Sequence, residues 1–253
     1  MNDASLTSFS EGNFARAKWL IVNADDFGAS SGVNRGIIEA HERGIVTSTS
    51  LMVLGAAALE AADYARRRPE LGVGLHVELR HWRVQRRPWA RVRSEGELQA
   101  VAARDVDEQL EQFRRLLGRD PTHLDSHHHR HRIESLRPIF LNLALELGIP
   151  LRHFARTVRF CGDFYGHDGR GRPKPGAITP EALIELLERL PDGVTELGSH
   201  PGYPNGLKTH YRDERMLEVR TLCDERVRAA VGRLGITLIS FQDVVTVESS
   251  RAL

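Results

Sequence analysis

The sequence predicts an α/β fold whose parallel strands close, or nearly close, into a barrel. Strand-like and helix-like segments alternate along the chain, and such alternation implies a parallel sheet with right-handed crossovers. A last strand-like run at residues 237–241 suits closure of that sheet. The 253 residues are enough for one barrel or two small domains. We expect a disordered leader over residues 1–17 and a single catalytic domain over residues 18–248.

The elements follow from hydrophobic periodicity and from breaking residues. Strands are predicted over residues 19–24, 48–53, 71–79, 122–125, 150–154, 195–198 and 237–241. Helices are predicted over residues 32–43, 56–68, 106–117, 135–147, 180–190 and 212–233. Their ends are marked by Pro69, Gly118, Pro138, Gly148 and Thr179. Two stretches, 80–96 and 160–176, break the alternation and are expected to overhang the mouth of the barrel.

The first strand carries the strongest functional signal. The segment 20–28 begins with an apolar run that ends in two adjacent carboxylates, Asp25 and Asp26. Gly28 closes the segment. The carboxyl ends of parallel strands are where α/β folds build their sites. Adjacent strand residues point to opposite faces, so a bend at Gly28, after Phe27, is expected to let both acids serve one site. One acid could hold a metal while the other takes a proton; the simpler alternative is a turn that caps the next helix.

Two further segments supply histidines at predicted strand ends. The run 71–79 contains His76, and residues 123–131 contain five histidines beside an aspartate. A lone histidine in an apolar run is more often a core residue, and a histidine-rich loop can simply be solvated. Clustered histidines are nevertheless typical of metal sites. Two histidines and one carboxylate leave open positions for water and substrate, as a catalytic metal requires.

Together these segments resemble the YdjC family of carbohydrate deacetylases, which includes chitooligosaccharide and hopanoid-biosynthesis deacetylases. The resemblance rests, in order along the chain, on residues 21–28, 34–40, 44–50, 74–76, 121–129 and 199–201. It implies a distorted (β/α) barrel like that of polysaccharide deacetylases. It also implies a hydrolase that removes acetyl groups from N-acetylated sugars with a divalent metal.

The resemblance also assigns roles to residues of this chain. It makes Asp26, His76 and His127 the metal ligands. It makes Asp25 the general base, by analogy with related deacetylases that use a pair of aspartates, and His200 the general acid. One divalent ion is expected, zinc or magnesium, with cobalt or manganese as further possibilities.

Other residues are expected to support this chemistry. Arg152 ends a predicted strand and is expected to bind substrate or orient Asp25, with a surface salt bridge as the alternative. His129 and Trp82 are expected to contact substrate. Trp82 lies in an arginine-rich stretch, residues 80–93, that favours an anionic, extended or lipid-linked sugar. Two residues of the histidine segment, His123 and Asp125, are expected to orient the ligands.

Composition and net charge limit the kinds of binding partner and the cellular location that we expect. The net charge of +1 gives no reason to expect nucleic acid, and no apolar run reaches the length of a membrane span. The polar N-terminus does not read as a secretory signal, and Cys161 and Cys223 fit no metal spacing, so a reducing cytoplasmic location is expected. The expected partner is an N-acetylated sugar or glycolipid, with a homodimer possible. The alternatives are a metallohydrolase of another amide or a phosphoester, and a sugar-binding protein without catalysis.

Overall fold

The computed structural model describes residues 17–79, 94–168, 170–206 and 210–244. The expected leader, apart from Ala17, and the arginine-rich segment with Trp82 lie outside these residues. The described strands form one sheet: β1 (Lys18–Phe27), β2 (Ser48–Leu51), β3 (Gly72–Val77), β4 (Leu124–Ser126), β5 (Val158–Cys161), β6 (Gly193–Ser199) and β7 (Ile236–Leu238). The helices are α1 (Ser31–Glu42), α2 (Ala58–Arg67), α3 (Glu95–Leu117), α4 (Arg137–Leu147), α5 (Pro180–Glu188), α6 (Asp213–Leu222) and α7 (Glu225–Arg233).

The sheet is parallel and curls into a distorted barrel, so the predicted fold class is confirmed. The strand order is β4-β3-β2-β1-β6-β5. The first half of β1 pairs with β7, and its second half pairs with β2 from Asn23 onward. The barrel is open between β4 and β5, where Leu151 makes a single bridge to Leu124. In the part of the chain described, no helix is long and apolar enough to cross a membrane.

Three predicted elements are wrong in part. The strand expected at 150–154 is only the Leu151 bridge, because the chain turns at His153, whose φ is 68°; the strand forms instead as β5. The helix expected over 212–233 is two helices, since the Asp224 side chain accepts a hydrogen bond from the Arg226 backbone and begins α7. Helix α3 starts well before residue 106, because Ser94 caps it and because Leu98 and Ala102 extend its apolar face toward the N-terminus.

Side-chain alternation divides the interior of the barrel into layers. The inward residues of β1 are Trp19, Ile21, Asn23 and Asp25, and the first two belong to a small apolar cluster with residues of β5 and β6. The outward residues pack against the helices in the main core. From the amino ends to the carboxyl ends of the strands, the interior of the barrel therefore changes from apolar to polar. The carboxylates are delivered to the end of the barrel at which the parallel strands finish.

Candidate metal and catalytic site

A bulge in β1 turns both carboxylates into one cavity. The pairing of β1 with β2 advances from Ala24 to Phe27 while the partner strand advances only from Thr49 to Leu51. Asp26 occupies the extra place with a φ of 70°, a left-handed conformation that aspartate tolerates better than most residues. Asp25 and Asp26 consequently line the same cavity. The bend lies at Asp26 itself rather than after Phe27, where the sequence placed it.

The three predicted metal ligands converge in a triangle. Asp26 Oδ1 lies 3.2 Å from His127 Nδ1 and 3.5 Å from His76 Nε2. The two ring nitrogens are 3.4 Å apart. Bonds of about 2.1 Å at near-tetrahedral angles put ligand atoms about 3.4 Å apart. Asp26 Oδ1 is also buried without a hydrogen-bond partner, so these side chains fit a divalent metal ion.

Asp125 fixes the orientation of the His76 ring. Its Nδ1 donates to Asp125 Oδ1 at 2.7 Å, and its Nε2 lies close to Asp26 and His127, the other two predicted ligands. The other carboxylate oxygen, Asp125 Oδ2, accepts a hydrogen bond from Ser50 Oγ at 2.8 Å. His123 Nε2 lies 3.0 Å from the same hydroxyl. Asp125 thus contacts His76, a predicted ligand, directly, whereas His123 is linked to Asp125 through Ser50.

Arg152 is a buried residue that holds the carboxylate of Asp25 in place. Its guanidinium donates two hydrogen bonds to the Asp25 carboxylate, both 2.7 Å long, and contacts Asp125 and Glu196 at 2.8 and 2.7 Å. The side chain is 0% exposed. The surface salt bridge is therefore wrong, and a direct role in substrate binding does not fit this burial. Burial alone would raise the pKa of Asp25, but the charge of Arg152, its hydrogen bonds and the nearby His76 together lower that pKa, so Asp25 is ionised at neutral pH.

Arg215, which lies on α6, was not predicted as a site residue. Its guanidinium donates to Asp26 Oδ2, the oxygen turned away from the two histidines, and to the His200 carbonyl at 3.2 Å. Burial raises the pKa of Asp26, yet the Arg215 charge and the two imidazoles hold it well below its usual value. Arg215 thus orients a predicted ligand. A charged helix face is usually solvated, so nothing in the pattern distinguished this residue.

His200 follows β6 and lines the same cavity. Its Nε2 lies 3.8 Å from Asp25 Oδ2. The backbone N–H of His200 donates to Glu218, which also accepts the Tyr211 hydroxyl at 2.6 Å. Burial lowers the pKa of His200 to about 4, although Asp25 and Asp26 act in the opposite direction. The imidazole is therefore neutral at pH 7.

The cavity has a volume of about 800 Å³ and joins these groups to an aromatic wall. Tyr165 is 39% exposed and stacks on Tyr211, with ring centroids 4.8 Å apart and planes at 10°. His129 also lines the cavity, where the sequence placed a substrate contact. The wall therefore offers an exposed aromatic ring near the predicted metal ligands, as sugar-binding sites commonly do.

Comparison with known proteins assigns the chain to a family. A family model described as YdjC-like protein matches residues 19–233, a span that includes every residue of the site above. The chain belongs to this family. A carbohydrate deacetylase from Geobacillus stearothermophilus is 37% identical over 89% of this chain and 98% of its own length. A chitooligosaccharide deacetylase from Serratia marcescens is 34% identical, over 90% and 99%.

Solved structures agree with the YdjC-like assignment at the level of the fold. A protein from Enterococcus faecalis, named for a proposed cellobiose-phosphate cleavage activity, is 29% identical with a TM-score of 0.74 over 90% of this chain and 99% of its own. A family 4 carbohydrate esterase from Streptomyces lividans, in complex with acetate, has a TM-score of 0.54 at 12% identity, over 88% and 93%. The second likeness supports the distorted barrel alone.

Proposed function

We propose that this chain is a metal-dependent carbohydrate deacetylase. It removes the N-acetyl group from an amino sugar within an oligosaccharide, glycolipid or other glycoconjugate. The observation that carries the proposal is the ionised Asp25 beside the triangle of Asp26, His76 and His127, in one cavity with an exposed tyrosine. The names of the curated relatives support the substrate class.

The residues divide the chemistry of amide hydrolysis. A divalent ion held by Asp26, His76 and His127 would polarise the acetyl carbonyl and lower the pKa of a water molecule. Asp25 then takes the proton from the attacking water. Arg152 keeps the carboxylate of Asp25 ionised and fixed in place. Two aspartates are required because holding the ion and accepting the proton are separate tasks.

His200 completes the proposed reaction by protonating the leaving amine. Because this imidazole is neutral at pH 7, it must gain a proton before it can give one. Asp25, 3.8 Å away, can supply the proton that it has taken from water. The proton thereby moves from the attacking side of the amide to the leaving side.

Replacing His200 with alanine tests this step. We expect amide cleavage to slow by roughly 100-fold or more, because an amine leaves poorly without a proton. An activated acetyl ester should lose much less, since its leaving group needs no proton. Steady-state kinetics on both substrates measure the difference. Equal losses would assign His200 to substrate binding instead.

The proposed activity is tested by acetate release. The purified chain is treated with chelator, reloaded with zinc, and incubated with N-acetylglucosamine oligosaccharides and an N-acetylated glycolipid. We expect acetate in the reloaded sample and none in the chelated one. If none of these substrates releases acetate and a sugar phosphoester releases phosphate, the proposal is contradicted and the chain is a phosphoesterase. Tight sugar binding without turnover would indicate a binding protein.

Some finer parts of the proposal rest on the sequence. We propose zinc or magnesium as the native ion, with cobalt or manganese able to replace it, and a single catalytic domain. The cytoplasmic location is supported by Cys161 and Cys223, which are both free in the structure. A homodimer is proposed as well, and light scattering of the purified chain tests it.

A further inference from the structure

We propose a second divalent-metal site, formed by His129, His131 and His153 and separate from the triangle around Asp26. Each of the three histidines offers a ring nitrogen, and these nitrogens all lie within 4.8 Å of one another. Two of the rings belong to the segment that follows β4, and the third belongs to the turn after Leu151. The proposed function does not use this group as a unit.

One buried ring nitrogen of each of these histidines lacks a hydrogen-bond partner. His129 Nδ1, His131 Nε2 and His153 Nε2 are all buried and accept or donate no hydrogen bond. Three such atoms on three neighbouring rings are unusual, because buried polar groups are nearly always paired. A metal ion is a partner that can satisfy three imidazole nitrogens at once, since each supplies one lone pair.

His131 has the surroundings of a metal ligand. It is 0% exposed, and its Nδ1 lies 2.8 Å from the hydroxyl of Ser126. That contact fixes the ring and leaves Nε2 for an ion, which is the arrangement that supports most ligating histidines. Ser126 also accepts the backbone N–H of His131 at 2.9 Å, so this hydroxyl contacts both the ring and the backbone of His131.

The other two rings are set by unusual backbone. His129 and His153 have φ angles of 53° and 68°, in the left-handed region that residues with a Cβ seldom adopt. Their rings lie 5.0 Å apart, and Phe160 packs against both at 5.4 and 4.4 Å. This aromatic packing keeps the two imidazoles beside His131, which is 5.9 Å from His129 and 5.7 Å from His153.

The ligand set selects the class of ion. Three imidazoles without a carboxylate suit zinc, cobalt, nickel or copper, whereas magnesium and calcium require oxygen ligands. A fourth position can be reached from the cavity, because His129 lines it. An ion here would tie the segment carrying His127 to the turn carrying Arg152, the residue that holds Asp25.

Cobalt binding to the intact chain tests the second site. Chelated protein is mixed with excess Co²⁺, free ion is removed by gel filtration, and bound cobalt is measured by atomic emission and visible absorption. We expect about two ions per wild-type chain. His153→Asn and His129→Asn should each bind about one, with loss of part of the visible absorption. Asparagine is chosen because it tolerates a left-handed backbone.

Two controls make the result specific. His128→Asn has the matched backbone, with a φ of 56°, but is not in the cluster, so it should still bind about two ions. Asp26→Asn should lose the other ion and keep this one. Circular dichroism confirms that each variant is folded. About one ion in the wild type, or no change in His153→Asn and His129→Asn, would overturn the proposal without bearing on deacetylation.

Discussion

Replacing Asp25 with asparagine should abolish deacetylation while leaving the metal bound. An amide cannot accept the proton of the attacking water, so we expect turnover to fall by roughly 10³-fold or more. Asparagine has almost the same shape as aspartate. Asp25 also supplies none of the three atoms of the ligand triangle, so the metal should stay bound. Acetate release and bound zinc, measured on the same preparation, test both halves of this expectation.

Two other variants bracket that result. Asp26→Asn should lose the ion together with activity, because Asp26 Oδ1 is the carboxylate oxygen of the triangle. Glu196→Gln changes another carboxylate that binds Arg152, and burial already raises the pKa of Glu196 to about 7; it should lose far less activity than Asp25→Asn. Near-native turnover in Asp25→Asn would show that Asp25 is not the base.

Replacing Arg152 with leucine should both destabilise the fold and abolish deacetylation. The guanidinium is the cation shared by Asp25, Asp125 and Glu196, all of them buried. Removing one partner of a buried charge network typically costs about 3–5 kcal/mol, because the other charges stay buried without it. We expect the free energy of unfolding, measured by urea titration, to fall by that amount.

An exposed arginine provides the matched control. Arg226 pairs with Asp224 and Glu181, but its side chain is 60% exposed, and exposed pairs contribute little to stability. Arg226→Ala should therefore leave the unfolding midpoint nearly unchanged. Arg152→Lys should recover only part of the loss, because an ammonium cannot form the two-pronged contact with Asp25. Equal stability of Arg152→Leu and Arg226→Ala would contradict the proposed role of the network.

Much of this arrangement could be predicted from strand ends. Alternation along β1 fixes which side of the barrel Asp25 faces, and parallel pairing places His76 directly beside Asp125. Ordinary periodicity of strands carries that information. It is why Asp25, Asp26, His76 and a histidine of the segment 123–131 could be expected at one site from the order of apolar runs and polar ends, whereas the choice of His127 came from the family resemblance.

What could not be predicted depends on irregular backbone and on long-range charge pairing. The bulge that turns Asp26 into the cavity breaks the very alternation used to read the strand. Arg215 is brought to Asp26 from a helix 189 residues away in sequence, and no local pattern marks it. Likewise, a turn at His153 replaced the predicted strand, which is what draws Arg152 inward and brings His153 beside His129.

The position of the ion proposed at Asp26, His76 and His127 tests the division of roles between Asp25 and Asp26. Crystals grown with Co²⁺ and measured at the cobalt absorption edge would locate the ion by its anomalous scattering. We expect a peak within about 2.0–2.2 Å of Asp26 Oδ1, His76 Nε2 and His127 Nδ1, with Asp25 outside the coordination sphere. A fully loaded crystal with no peak at these three atoms, or with Asp25 bound in place of Asp26, would contradict the proposed division of roles between the two aspartates.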